Sequence, residues 1–229
     1  MQKHSILLIL SLIVFSAVSP AQAPSDKTPY PAMAPLDQYL IPDIASEIAL
    51  ARSAAPPSIS GAAEIMVLTR DGFITAVKGT NGFLCLVERS WAGPTDWSDF
   101  WNPKLRAPHC FNPAAARSFA PIFLMKTRLV LAGKAKAEIL QAIDAAFDKK
   151  EIPPLEPGAM VYMMSKQQYL GDRDKTWRPH LMFFVSGSVE KTWGANLPGS
   201  PIIAADDPEE RVTIFLLPVG KWSDGAPAP

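Results

Sequence analysis

The chain has 229 residues with 22 basic and 22 acidic side chains, so its net charge is zero when histidine is neutral. A near-neutral charge gives no electrostatic basis for binding nucleic acid or an anionic membrane surface. A content of 48% hydrophobic and 19% charged residues indicates a globular rather than a disordered protein.

The N-terminus has the pattern of a secretory signal peptide. Lys3 precedes an apolar run over residues 6–18, and Ala21 and Ala23 place small residues at a cleavage site. As a helix, about 13 apolar residues would span about 20 Å, less than the roughly 30 Å of bilayer hydrocarbon. We therefore expect removal of residues 1–23, export to a periplasm or out of the cell, and no membrane insertion afterwards. Residues 24–35, with four prolines among twelve residues, are predicted to be a flexible lead.

A helix and three strands are predicted next. Ile44, Ile48, Ala51 and Ala55 have helical spacing after Pro42 and before Pro56-Pro57. Three β-rich runs then follow over residues 64–88, separated by Asp71-Gly72 and Asn81-Gly82. Because these dipeptides tolerate the positive φ angles of tight hairpin turns, the pattern predicts a three-stranded antiparallel meander.

Residues 88–110, ERSWAGPTDWSDFWNPKLRAPHC, are rich in aromatic side chains. Thr95 is a suitable cap for a short helix in which Trp97, Phe100 and Trp101 share one face. Three aromatic side chains are more apolar surface than one exposed turn usually shows to water. They either pack down on the core or bind a ligand, and the burial argument favours packing.

Cys85 and Cys110 are the two cysteines of the chain. In an oxidising compartment such a pair is expected to form a disulfide. Two cysteines and the remaining histidines lack the spacing of a zinc site, so we predict no metal.

The second half predicts helices followed by strands. Asn112-Pro113 is typical of a helix start, Pro121 of a break, and residues 134–154 form an amphipathic helix pattern. Three strand candidates then lie in residues 159–165, 180–187 and 211–220. The order indicates one α+β domain over residues 36–222, with helices on an antiparallel sheet and a loose tail at residues 223–229. A PAS-like or profilin-like cup shares this general order, which carries no function with it.

Residues 169–180, YLGDRDKTWRPH, concentrate polar groups in a loop that leads into a strand. His180 is a candidate general base, with Asp172 or Asp174 to orient it. Charged loop residues are more often a solvated surface, and a histidine at a strand start is more often structural. The predicted ligand-binding side chains of this loop and of the aromatic segment are Trp97, Trp101, Tyr169, Arg173, Trp177 and Arg178.

The chain contains no glycine-rich phosphate loop, nucleophile elbow, zinc helix, haem-attachment site or calcium loop motif. We therefore expect no cofactor. The favoured hypothesis is an exported, non-enzymatic domain that binds a small molecule or an envelope component. The alternatives are a hydrolase that uses His180 with a loop carboxylate, and a structural protein of the envelope.

Overall fold

A computed structural model describes residues 29–173 and 175–228. The predicted signal peptide, the start of the predicted lead and the catalytic candidate Asp174 lie outside the described residues.

Within the described residues, the helices and strands follow one another in a mixed order. The helices are α1 (Ile44–Arg52), α2 (Pro57–Ser60), α3 (Pro113–Ser118), α4 (Ala120–Leu131) and α5 (Lys136–Asp148). The strands are β1 (Glu64–Thr69), β2 (Gly72–Val77), β3 (Leu84–Glu88), β4 (Ala107–Phe111), β5 (Met160–Met163), β6 (His180–Ser186), β7 (Ile203–Asp207) and β8 (Val212–Pro218). Short 3-10 turns occupy Leu36–Gln38, Ser90–Ala92 and Glu190–Trp193.

The eight strands of the described chain form one mixed sheet in the order β2-β1-β3-β4-β5-β6-β8-β7. The α+β class is therefore confirmed. β1 and β2 form the predicted hairpin, but β3 pairs with β1 in parallel, so the predicted antiparallel meander is wrong. The likeness to a PAS-like or profilin-like cup rested partly on that meander and gains no support from this order.

Burial explains the position of β3. All five of its residues are buried, whereas much of β2 is exposed. A strand that is apolar on both faces belongs inside a sheet, so β2 takes the edge and β3 the interior.

The connection from β2 to β3 must cross the end of β1. Asn81, predicted in a hairpin turn, instead donates its side-chain amide to the Ile59 carbonyl at 2.8 Å. Gly79 lies so close to β1 that a Cβ there would be 2.2 Å from the Glu64 amide nitrogen. The crossing therefore depends on a residue without a side chain.

The two faces of the sheet carry different partners, because successive strand residues point to opposite sides. On one face, Cys85, Val87 and Cys110 pack with alanines of α1 and of the turn that follows it. On the other face, the side chains of β3 to β6 and β8 join the large core with α3, α4 and α5. The predicted Cys85–Cys110 disulfide is formed and joins directly opposed residues of β3 and β4.

Helices α1 and α5 lie within the segments predicted to be helical. The Asp43 carboxylate accepts from the Ala45 and Ser46 amides and caps α1. The predicted break near Pro121 falls at Phe119, between α3 and α4. The helix predicted after Thr95 is absent, and residues 95–101 form turns instead.

Both ends of the described chain contact the domain. Tyr30, Met33 and Ala34, in the predicted lead, pack against the large core. In the predicted tail, the Ser223 amide donates to the Met164 carbonyl and Asp224 pairs with Lys166. Among residues 29–173 and 175–228, no helix has both the length and the apolar character needed to cross a membrane.

Candidate ligand-binding site

A cavity of about 680 Å³ lies against the core-facing side of the sheet. Strands β3 to β8 contribute the inner wall of the cavity. Residues 89–106, here called the covering segment, lie over it. Residues 169–173 and 175–177, here called the rim loop, border it on another side. Most of the wall is apolar, and the side chains used below are Phe111, Phe119, Phe123, Met182, Phe184 and Leu216.

The covering segment is fastened to α4 and to the β7–β8 turn. The indole nitrogen of Trp91 donates to Thr127 at 3.0 Å. The Lys126 ammonium lies 3.4 Å from the carbonyls of Ala92 and Gly93. Thr95 donates both its amide and its hydroxyl to Glu209, at 2.9 and 2.6 Å. The segment is therefore a fixed cover over the sheet.

The rim loop lies close to the covering segment at Gly171. A Cβ at Gly171 would lie 2.7 Å from the Asp99 carboxylate. Outside the cavity, Asp172 accepts hydrogen bonds from Tyr30, from Tyr169 and from Lys104. These hydrogen bonds lower the pKa of Asp172 to about 2, and the one from Tyr169 has the largest effect. Asp172 therefore joins the lead, the covering segment and the rim loop.

Two buried histidines line the cavity. The Nδ1 atom of His109 lies 2.9 Å from the Ala107 carbonyl, and that of His180 lies 2.8 Å from the Arg178 carbonyl. Burial lowers the pKa of each imidazole to about 4. Both rings are therefore neutral near pH 7, and because a carbonyl only accepts, each Nδ1 carries the proton and each Nε2 is a proton acceptor.

Glu88 also lines the cavity and is 5% exposed. Its Oε1 atom has no hydrogen-bond partner in the described part of the chain, and its Oε2 atom lies 3.5 Å from Nδ1 of His109. Burial raises the pKa of Glu88 well above its usual value, repulsion by Glu210 raises it further, and Lys126 opposes the rise.

Further charged side chains lie beside Glu88. Lys126 and Glu210 form a buried ion pair at 2.8 Å. Burial raises the pKa of Glu210 to about 7 against the attraction of Lys126, and burial likewise raises the pKa of Asp207. Buried carboxyl groups with raised pKa values are more frequent at functional sites than elsewhere.

The structure brings together only some of the predicted site residues. Trp97, Arg173, Trp177 and His180 line the cavity, and the Trp177 ring lies 4.6 Å from the His180 ring. Trp101 is 7% exposed and packs edge-on against Phe100 in the core, as the packing interpretation expected. Tyr169 and Arg178 do not belong to the cavity wall described here.

The predicted pairing of His180 with Asp172 is not formed. Nδ1 of His180 meets a backbone carbonyl, and Asp172 is engaged outside the cavity with two tyrosines and a lysine. Asp172 is near His180 in the sequence, but its carboxylate is exposed to solvent and accepts hydrogen bonds from other donors close by. The other predicted carboxylate, Asp174, lies outside the described residues.

Sequence reasoning missed Glu88, His109, Lys126, Asp207 and Glu210. The sequence does contain a signal for Glu88 and His109, because both stand at core-facing positions of the strand sequences LCLVE and APHCF. Charged side chains are rarely buried in strands without a reason. The contribution of Lys126 and Glu210 depends on α4 meeting the β7–β8 turn, which no local pattern predicts.

No protein-family model, no curated protein and no solved structure matches this chain. In the described residues no three or more histidine, cysteine, aspartate or glutamate side chains are arranged to hold a metal ion.

Proposed function

We propose that this protein is an exported binding protein that holds a small molecule with a largely apolar body in the cavity. One observation carries the proposal, a cavity of about 680 Å³ with an aromatic wall and a few polar groups that converge on it. Ligand sites typically have about 300–1,000 Å³ and this mixture of lining groups.

The structural-protein alternative is less well supported, because it expects no pocket with convergent polar groups. Asp172 gives no support to the hydrolase alternative, because its carboxylate bonds to Tyr30, Tyr169 and Lys104, and the other candidate carboxylate, Asp174, lies outside the described residues. Trp97 and Trp177 lie where an occupant would touch them, so they keep their proposed role as contacts to a ring. Trp101 is assigned to the core instead.

Export to a periplasm or the cell exterior is part of the proposal. The Cys85–Cys110 disulfide supports it, because disulfides persist mainly in oxidising compartments. The intact mass of the protein recovered from outside the cytoplasm tests this point, and a mass that retains residues 1–23 would contradict signal-peptide cleavage.

The binding proposal is tested by filling the cavity. Leu216 lines it, whereas the next residue, Leu217, points to the other face of the sheet. The oxidised protein is screened by thermal shift against fatty acids, aromatic amines, aromatic alcohols, sugars and nucleotides. A ligand at about 100 times its Kd adds roughly 2.7 kcal/mol of stability, which raises Tm by several degrees.

We expect Leu216→Trp to abolish the shift that a hit produces and Leu217→Trp to preserve it. Equal loss of binding in both variants, each with an intact fold by circular dichroism, would place the ligand elsewhere. The absence of any shift across the panel would contradict small-molecule binding and favour a protein partner.

A further inference from the structure

The buried carboxyl groups at one end of the cavity outnumber the cations that are bonded to them in the described chain. Glu88, Asp207 and Glu210 supply three buried carboxyl groups that line it. Lys126 supplies one buried ammonium group, which is bonded to Glu210 at 2.8 Å. Two of the three carboxyl groups therefore have no cation bonded to them within the described chain.

Glu88 is the least satisfied of these groups. Its Oε1 atom has no hydrogen-bond partner among the described residues, although a buried acceptor without a partner is costly. His109 does not serve as its cation, because its Nδ1 proton is directed at the Ala107 carbonyl at 2.9 Å and the ring is neutral.

The neighbouring Arg89 is also committed elsewhere. Its Nε atom donates to the Tyr39 carbonyl at 2.6 Å, and its Nη2 atom donates to Glu47 at 3.0 Å. Glu47 and Arg89 are both buried, so this ion pair is complete without Glu88. Each cationic or basic group that faces Glu88 from β4, from α4 or from its own strand end therefore already has a partner.

The rest of the cavity suits an aromatic or aliphatic body. Phe111, Phe119, Phe123, Met182 and Phe184 line it, and the rings of Phe119 and Phe184 are stacked with centroids 3.8 Å apart. A ligand that reaches Glu88 must lie against these side chains.

We propose that the cavity takes a hydrophobic amine, whose ammonium group pairs with the carboxylate of Glu88 while its apolar body lies against the phenylalanines. This inference rests on the proposed function, since it names the class of ligand for the same cavity. An ammonium group would supply the hydrogen bond that Oε1 lacks and would place a positive charge beside a carboxyl group that has no bonded cation.

Proton release should accompany binding. Burial raises the pKa of Glu88, so the empty protein holds this proton more tightly than an exposed glutamate does. An ammonium group favours the carboxylate and lowers that pKa, so protonated Glu88 gives up its proton as the amine enters. A neutral ligand that accepts a hydrogen bond from protonated Glu88 would not expel it.

The test compares 2-(1-naphthyl)ethylamine with 2-(1-naphthyl)ethanol, which share a body and differ in charge. Both are titrated calorimetrically at pH 7 into the oxidised protein, in two buffers of different ionisation enthalpy. We expect the amine to bind at least about tenfold more tightly than the alcohol and to release protons.

Glu88→Gln keeps the size of the side chain and removes its charge. We expect this variant to lose the proton release and the preference for the amine, so that the two probes bind to it with affinities within about twofold of each other. The matched control is Glu151→Gln, which changes an exposed carboxylate and should leave both affinities unaltered.

Three results separate the inference from the proposed function. Tighter binding of the amine that depends on Glu88 supports both. Equal binding of the two probes, or a preference that survives Glu88→Gln, overturns the amine inference and leaves the binding function standing. Failure of both probes and of the wider thermal-shift panel contradicts the binding function and the inference together.

Discussion

The carboxyl group of Glu88 is buried, and burying its charged form costs free energy. Its folded-state pKa lies above the unfolded value, so the folded state holds the proton more tightly. The stabilising contribution of Glu88 is complete below the unfolded pKa of about 4.5 and is lost as pH rises through the folded pKa.

We therefore predict that Glu88→Gln stabilises the empty protein at pH 7. The gain should be roughly 1–3 kcal/mol, because a neutral amide costs less to bury than a carboxylate. It should shrink towards zero as pH falls to 4.5. Urea denaturation at several pH values measures it, and a variant that is less stable than the parent at pH 7 would show that the carboxylate is already satisfied.

His180 has the opposite dependence on pH. Its folded pKa of about 4 lies below the unfolded value of about 6.5. The unfolded chain therefore takes up the proton first, and stability is lost as pH falls from 6.5 towards 4.

We predict that His180→Asn reduces this loss by about 3 kcal/mol at pH 4 relative to pH 7.5. The asparagine amide can still donate to the Arg178 carbonyl, so the hydrogen bond of the histidine has a replacement. Denaturation curves of the two proteins at both pH values give the difference. His109→Asn should behave in the same way, and equal acid sensitivity in parent and variant would mean that the folded imidazole is accessible to protons.

At the scale of elements, the crossing between β2 and β3 decides the order of the sheet. The close approach of Gly79 to β1 is what allows β3 to pass the end of β1 and pair on its far side. We predict that Gly79→Ala destabilises the protein by roughly 1–3 kcal/mol, because the added methyl group meets backbone atoms that cannot rotate away.

Gly220→Ala is the matched control for this change. A Cβ at Gly220 would have no atom within 4 Å, and the residue is not in the left-handed region. Its Tm should therefore stay close to that of the parent. A Tm of Gly79→Ala as high as that of the control would show that the crossing can relax.

The elements themselves were largely predictable, and their arrangement was not. Asn112 and Pro113 marked a helix start because capping is a local interaction. The strand Ala107–Phe111 was missed because five residues beside an aromatic segment carry little periodicity. The parallel pairing of β3 was missed because Asn81-Gly82 has the chemistry of a hairpin turn, and only burial on both faces shows otherwise.

The same limit applies to the site. Loop residues with obvious chemistry, such as Asp172 and Tyr169, were found easily but lie outside the cavity. The side chains that converge on the cavity come from β3, β4, α4 and the β7–β8 turn. Their meeting is set by the sheet order and by packing, and a single sequence does not contain that information in any local pattern.

At the scale of the whole molecule, Asp172 connects three distant parts of the chain. It accepts from Tyr30 in the lead, from Lys104 in the covering segment and from Tyr169 in the rim loop. We predict that Asp172→Asn speeds hydrogen exchange in residues 29–39 and 169–177 while Tm changes little, because exposed contacts contribute little to global stability.

Asp224→Asn provides the control for this prediction. It breaks the exposed Lys166–Asp224 ion pair in another part of the molecule. Exchange in residues 29–39 and 169–177 should then remain as in the parent. Unchanged exchange in Asp172→Asn would show that these regions are held by their apolar contacts instead.

The positions of the tryptophans have a consequence for observing the protein in solution. Trp97 and Trp177 border the cavity, whereas Trp91 and Trp101 are enclosed in the core. Indole emission shifts to the blue when neighbouring water is displaced. An occupant would therefore alter the fluorescence of the two bordering indoles, while the other four of the six tryptophans give a constant background. The protein carries its own optical reporter of occupancy, without a dye or a label.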